Sequence, residues 1–195
     1  MKKAIYIVAA IFFLQLNMAA QSKSKPKFSG ITQAGFLAGG STNSLQLQTI
    51  NGIGYRGFSL GIGAGIDYYY LKTIPLFADV RKDIFAKKKT PFVYFDMGTD
   101  LPWNKTETED AWQKSQYKNG LFYDFGIGYK WLLKERLGLN FSLGYSQKKL
   151  RETRETIYWM WRDFPPYGPS TESGKDTTYY KYSLQRISFK IGLSF

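Results

Sequence analysis

The sequence predicts an all-β fold: a closed, antiparallel, transmembrane up-and-down β-barrel of about eight strands. Three observations carry it. The last nine residues alternate without a break, with Ile187, Phe189, Ile191, Leu193 and Phe195 on one face and Ser188, Lys190, Gly192 and Ser194 on the other. Side chains on a strand change face at every residue, so this segment is a strand with one apolar and one polar side. Other segments repeat the pattern, and their second face holds glycine, serine and isolated charges rather than long polar side chains. The connections are short at one end of the strands and long at the other.

Taken in order, Met1 to Ala20 reads as a secretory signal peptide. Lys2 and Lys3 form a basic start, Ala4 to Leu16 is apolar but for Gln15, and small residues Ala19 and Ala20 precede Gln21, where cleavage is expected. An apolar run of about 13 residues is too short for a helix to cross roughly 30 Å of hydrocarbon. The absence of cysteine excludes a lipoprotein signal, which needs a lipidated Cys at the cut. Residues 21–27 form a polar, flexible linker containing Ser22-Lys23-Ser24-Lys25-Pro26-Lys27, and residues 28–195 form the barrel domain.

An exported chain without cysteine has no disulfide framework, and its length suits one domain. Aromatic residues make up 18% and there are 19 glycines, while residues favouring helix are sparse after the signal. The formal charge of +12 drops by two when Lys2 and Lys3 leave. No nucleic-acid motif accompanies that charge, so no nucleic-acid partner is expected, and the cations are assigned to lipopolysaccharide or the lumen.

Turn signals separate eight strands near 29–39, 43–55, 57–70, 75–86, 90–100, 120–132, 136–148 and 179–195. In 57–70, Phe58, Leu60, Ile62, Ala64, Ile66 and Tyr68 oppose Ser59, Gly61, Gly63, Gly65 and Asp67. In 120–132, Leu121, Tyr123, Phe125, Ile127, Tyr129 and Trp131 oppose Phe122, Asp124, Gly126, Gly128 and Lys130. In 136–148, Leu137, Leu139, Phe141, Leu143 and Tyr145 oppose Gly138, Asn140, Ser142, Gly144 and Ser146. The second strand is less regular, because Asn51 falls on the face of Leu45, Leu47 and Ile53.

A soluble sandwich hides its apolar face and shows polar side chains to water. Here the second face is small, as the crowded interior of an eight-stranded barrel requires. The broad aromatic face would promote aggregation in water, whereas lipid demands such a surface. Connections 2, 4 and 6 are short (Tyr55 to Gly57, Ala86 to Thr90, Leu133 to Arg136), and the two long ones, near 101–119 and 149–178, both fall at the opposite end. Tyr68, Tyr69, Tyr70, Trp103, Tyr129 and Trp131 sit at strand ends, where amphipathic rings favour the headgroup level.

On the alternation, the loop asymmetry and the terminal strand closing on Phe195, residues 28–195 resemble the small Gram-negative outer-membrane β-barrels of the OmpA and OmpX kind. The resemblance implies location in the cell outer membrane, with outer-membrane lipid and lipopolysaccharide as surroundings. It also implies insertion by the barrel-assembly machinery, reading the terminal strand of Ile187, Phe189, Ile191, Gly192, Leu193 and Phe195.

Chemistry is limited by what the chain lacks. It has no histidine, which excludes Ser-His-Asp and Cys-His arrangements and histidine-based metal sites. Membrane-barrel enzymes such as the lipid A deacylases, palmitoyl transferases, outer-membrane phospholipases and omptins depend on an active-site His, so no enzyme activity is expected. No cofactor or metal is expected either. Glu107, Glu109 and Asp110 lack the ligand spacing and glycine of a calcium loop. The candidate lumen charges are Asp67, Asp79, Arg81, Asp83, Asp96, Asp124, Lys130 and Lys190, read as a mutually paired network or as a polar pathway. Arg151-Glu152-Thr153-Arg154-Glu155-Thr156 opens the second long connection with charges suited to strands extending beyond the membrane. Tyr158, Trp159, Trp161, Phe164 and Tyr167 follow as candidate contacts for an envelope protein partner, since exposed aromatics and arginine favour binding hot spots. The expected role is structural or interactive. A narrow transport or ligand-binding barrel and a soluble periplasmic barrel holding an apolar ligand remain as alternatives.

Overall fold

The computed structural model describes residues 25–39, 43–68, 71–104, 106–110, 112–133, 137–164 and 168–195, with backbone alone for 106–110, 159–164 and 168–173. The expected signal peptide therefore lies outside the described residues. Every regular element among those described is a strand. They are β1 (Lys27–Ala38), β2 (Ser44–Tyr55), β3 (Phe58–Tyr68), β4 (Lys72–Asp83), β5 (Lys89–Pro102), β6 (Thr106–Asp110), β7 (Gln113–Lys118), β8 (Gly120–Leu132), β9 (Gly138–Phe164) and β10 (Gly168–Ser194).

Eight of these form a closed antiparallel barrel in the order β1-β2-β3-β4-β5-β8-β9-β10. Closure comes from β1 against β10, paired from Ile31↔Ser194 to Ala38↔Ile187. A closed barrel leaves no strand edge unpaired, which is the condition for burying backbone in lipid. The strand-to-strand alternation then fixes what faces where. Ile62, Leu45, Leu60 and Ile187 stand clear of the protein, whereas Asp67, Asp96, Asp124 and Lys190 are fully enclosed. Among the described residues, buried polar and charged residues outnumber buried apolar ones by more than two to one. That reverses the arrangement of a soluble protein.

The β2–β3 connection is the two-residue turn Arg56-Gly57, with positive φ at both residues (51° and 75°). This is the primed geometry whose twist suits a tight hairpin. Glycine accepts it freely, while Arg56 is held in a region that costs a residue with a Cβ roughly 1–2 kcal/mol.

Cations over rings mark both ends of the apolar belt. Lys82 lies 3.6 Å from the Phe58 ring centroid at the short-turn end, and Lys72 lies 3.9 Å from that of Trp103 at the other. Phe58 and Tyr68 bound β3 between these levels, and ten residues of tilted strand rise about 25 Å, the height of an outer-membrane apolar band. Tyr69 and Tyr70 lie outside the described residues.

Two expectations need correction. The connections near 101–119 and 149–178 are not loops throughout. β9 and β10 stay paired from Gly138↔Ser194 out to Phe164↔Gly168, and β6 and β7 form a hairpin whose β7 pairs with β9 from Gln113↔Thr156 to Lys118↔Arg151. Polar and charged residues fall on both faces of these ribbons, as in Arg151-Glu152-Thr153-Arg154, so they lack the continuous apolar face by which the barrel strands are recognised. Tyr158, Trp159, Trp161 and Phe164 accordingly lie on a strand.

The second correction concerns the interior, which is more than small residues. Phe77, Phe92, Phe122, Ile31 and Ile50 are buried within it. Glycines make the room: a Cβ on Gly63 would come within 2.4 Å of the Phe77 ring, and one on Gly128 within 2.2 Å of Phe92.

Candidate functional site

The lumen begins with one consequence of register. Cross-strand pairing places Asp79 opposite Asp96, Asp96 opposite Asp124, and Asp124 opposite Ser146. Three carboxylates thus form a row on adjacent strands, an arrangement that repels unless cations enter it. Arg81 Nε lies 2.8 Å from Asp79 Oδ2. Lys190 reaches across from β10, with Nζ 2.8 Å from Asp124 Oδ2 and 3.6 Å from Asp96 Oδ2. The Tyr94 hydroxyl donates to Asp124 Oδ1 at 2.8 Å and Ser188 Oγ donates to the same oxygen at 3.2 Å. Lys190 Nζ also sits 4.4 Å from the Tyr94 ring centroid.

A second knot lies nearer the long-ribbon end. Lys148 on β9 spans the barrel to Asp67 on β3, with Nζ 2.6 Å from both carboxylate oxygens. The same ammonium donates to Thr73 Oγ1 at 2.7 Å and lies 3.0 Å from Asp100 Oδ2. Between the two knots Phe77 and Phe122 meet at 5.6 Å between centroids, in a cluster with Ile31 and Ile50. Below the first knot, Arg81 Nη2 donates to Gln33 Oε1 at 3.4 Å, and Gln33 Nε2 donates to Gln48 Oε1 at 2.7 Å.

At the short-turn mouth, Lys130 pairs with Asp83 at 2.8 Å. Outside that pair lies a vestibule of about 890 Å3, bordered by Lys27, Tyr55, Arg56, Phe58 and Leu132. Deeper in, beside Arg81, Phe92 and Asn140, the space shrinks to about 20 Å3. That holds roughly one water molecule. The vestibule therefore ends against packed side chains and paired charges.

Where the ribbon leaves the barrel, Glu152 is enclosed. Ser115 Oγ donates to it at 2.9 Å, Tyr182 Oη at 2.7 Å and Arg154 Nε at 3.1 Å. Burial pushes this carboxyl upward, but the hydrogen bonds from Tyr182, Ser115 and Arg154, with the charge of Arg154, outweigh it and hold the group below the usual carboxylate range. The knot ties β7, β9 and β10 together.

The charges singled out from sequence thus lie inside the barrel: Asp67, Asp79, Arg81, Asp96, Asp124 and Lys190 buried, Asp83 and Lys130 half-buried at the mouth. Ile187, Phe189, Ile191, Leu193 and Phe195 face outward, while Gly192 faces inward against Gln33. Tyr158 is exposed on β9. The side chains of Trp159, Trp161 and Phe164, and the whole of Tyr167, lie outside the described residues. Sequence reasoning missed Asp100 and Lys148, though parity had placed both inward: Asp100 shares a face with Asp96, and Lys148 with Ser146. It also missed Glu152, where no apolar partner face gives the parity away.

No family model matches the chain, and no curated protein matches it. Solved structures do. Outer membrane protein AlkL, determined in DMPC lipid bilayers, superposes with a TM-score of 0.53 at 12% identity, over 90% of this chain and 93% of that one. Neisserial surface protein A (NspA) superposes with a TM-score of 0.51 at 9% identity, over 88% of this chain and 98% of that one. The fold is that of the small eight-stranded outer-membrane barrels. At such identities the likeness is one of fold.

Proposed function

We propose that this protein is an exported outer-membrane barrel without enzyme activity, whose shut lumen is structural and whose β9–β10 ribbon engages an envelope protein partner. The apolar belt, about 25 Å high between two sets of lysines over rings, supports placement in a membrane. Outer-membrane lipid and lipopolysaccharide then surround the belt, and the outward Ile187-to-Phe195 stripe is what the assembly machinery reads. The absence of histidine and cysteine supports the non-enzymatic reading. Paired charges and packed rings in the lumen support a plug rather than a channel.

The observation that carries the interaction role is the unbroken ladder beyond the barrel. From Lys148 to Phe164 the ribbon runs about 50 Å at strand rise, much farther than joining two strands requires. Trp112, Ile157, Tyr158, Tyr179 and Tyr180 are exposed along it and its neighbouring hairpin. Large rings presented on a hydrogen-bonded ribbon form contacts at low entropic cost.

The test is affinity capture from detergent-solubilised outer membranes with wild type and Trp159→Ala/Trp161→Ala. A partner captured by wild type and lost in the variant, with both folded, is expected; equal capture would refute the role of these rings. The vestibule favours the second reading, a ligand-binding or transport barrel, and stable conductance in planar bilayers would establish that reading over a plug.

A further inference from the structure

The two rims of the barrel differ in how densely lysines without carboxylate partners gather. Toward the ribbons, Lys148 meets Asp67 and Asp100, Arg154 meets Glu152 and Lys175 meets Glu155, while Lys72 lies over the Trp103 and Tyr68 rings. At the short-turn rim, Asp83 is already taken by Lys130. Lys82 near the end of β4, Lys87 and Lys88 in the β4–β5 connection and Lys89 at the start of β5 gather there, and among the described residues none of them has a carboxylate at ion-pair distance.

Their ammonium groups are placed with respect to rings. Lys82 Nζ lies 3.6 Å from the Phe58 centroid, Lys89 Nζ 4.3 Å from that of Trp131, and Lys87 Nζ 5.9 Å from that of Phe85. All three rings are exposed on the outer surface at the edge of the apolar belt. Each pair therefore sets an apolar body at acyl-chain depth and a cation at headgroup depth, the geometry of a snorkelling side chain. An acidic protein or a nucleic acid would leave those rings outside hydrocarbon. A zwitterionic headgroup brings its own cation and neutralises nothing.

We infer that the β4–β5 rim is a binding site for anionic phospholipid headgroups. Phosphate oxygens meet Lys82, Lys87, Lys88 and Lys89 while the acyl chains lie on Phe58, Phe85 and Trp131. The inference rests on the membrane reading above. It adds a lipid class and a place on the barrel, and predicts that one leaflet is recognised by charge.

The purified full chain in detergent is mixed with equimolar phosphatidylglycerol and phosphatidylcholine, and the retained lipids are counted by native mass spectrometry. Wild type retains phosphatidylglycerol preferentially, and the preference weakens in high salt. Lys82→Gln, Lys87→Gln, Lys88→Gln and Lys89→Gln together abolish it, by roughly fivefold for each lysine removed. The matched set Lys114→Gln, Lys118→Gln, Lys149→Gln and Lys181→Gln at the other end keeps it. Heat-modifiable mobility on an SDS gel verifies folding of every variant. A folded wild type that retains both lipids equally, or a β4–β5 variant that keeps the preference, overturns this inference alone. A chain that retains no phospholipid and shows no heat-modifiable mobility overturns the membrane reading and this inference with it.

Discussion

Phe195 and Gly30 close the barrel at its seam: each donates its backbone N–H to the other's carbonyl at 2.9 Å, and the Phe195 ring covers the face that Gly30 leaves bare. A Cβ at position 30 would meet that ring at 2.3 Å. The ring also stands 6.3 Å from Phe28, centroid to centroid. Aromatic cover of a cross-strand glycine is a recognised device for pinning register. Gly30→Val should push the ring off the seam and destabilise the barrel by about 1–3 kcal/mol. The check is the temperature at which the unboiled form converts on an SDS gel, which should fall.

The same logic applies inside. Gly63 faces the Phe77 ring at 2.4 Å from its missing Cβ, with Ile50 at 3.1 Å. Gly63→Ala should cost about 1–3 kcal/mol by overpacking. Phe77→Leu in the same chain should recover part of that loss, because only side chains obstruct the new methyl group. Denaturant unfolding of the two single variants and the double variant would show the coupling; additive effects would contradict it.

Lys190 sits between two aspartates in an enclosed space. Removing one partner of a buried ion pair leaves uncompensated charge, which costs about 3–5 kcal/mol, whereas replacing the whole set is often neutral. Lys190→Met should therefore be strongly destabilising. Lys190→Met with Asp96→Asn and Asp124→Asn should regain most of the stability. Urea unfolding in lipid vesicles distinguishes them, and a triple variant weaker than Lys190→Met would show that the charges act in some way beyond mutual neutralisation.

Glu152 predicts a pH dependence for the ribbon. Its folded carboxyl is held below the unfolded value of about 4.3, so the stabilisation is complete above that pH and is lost as pH falls through the folded value. The hydrogen-exchange protection of β7 and of β9 beyond residue 150, taken relative to the intrinsic exchange rate at each pH, should fall below about pH 4, while the barrel strands keep theirs. Glu152→Gln should exchange faster at neutral pH and show a smaller pH effect. An acid-insensitive ribbon in wild type would contradict the knot.

The barrel strands were legible because a closed barrel with an apolar outer face enforces parity. Ile187, Phe189, Ile191 and Leu193 must all be apolar, so the alternation survives even where individual strands, such as that of Asn51, break it once. Lumen charges followed from the same parity, with no need to know their partners. The ribbon was not legible as strand, because Arg151, Glu152, Thr153 and Arg154 place polar residues on both faces and no face is held apolar. Nor could alternation reveal that Lys148 crosses the barrel to Asp67, since a contact 81 residues apart depends on closure and register. The rings of Phe77 and Phe92 were hidden for a third reason. A glycine-rich face reads as small, yet the glycines are the space those rings occupy.

Heat-modifiable mobility is the most direct test for a closed barrel seated in the outer membrane. Membrane and soluble fractions are run on SDS gels with and without boiling. The protein should be found in the outer-membrane fraction and migrate differently before and after boiling, because a closed barrel has no edge from which to unzip. A soluble periplasmic protein with the same mobility in both lanes would contradict it.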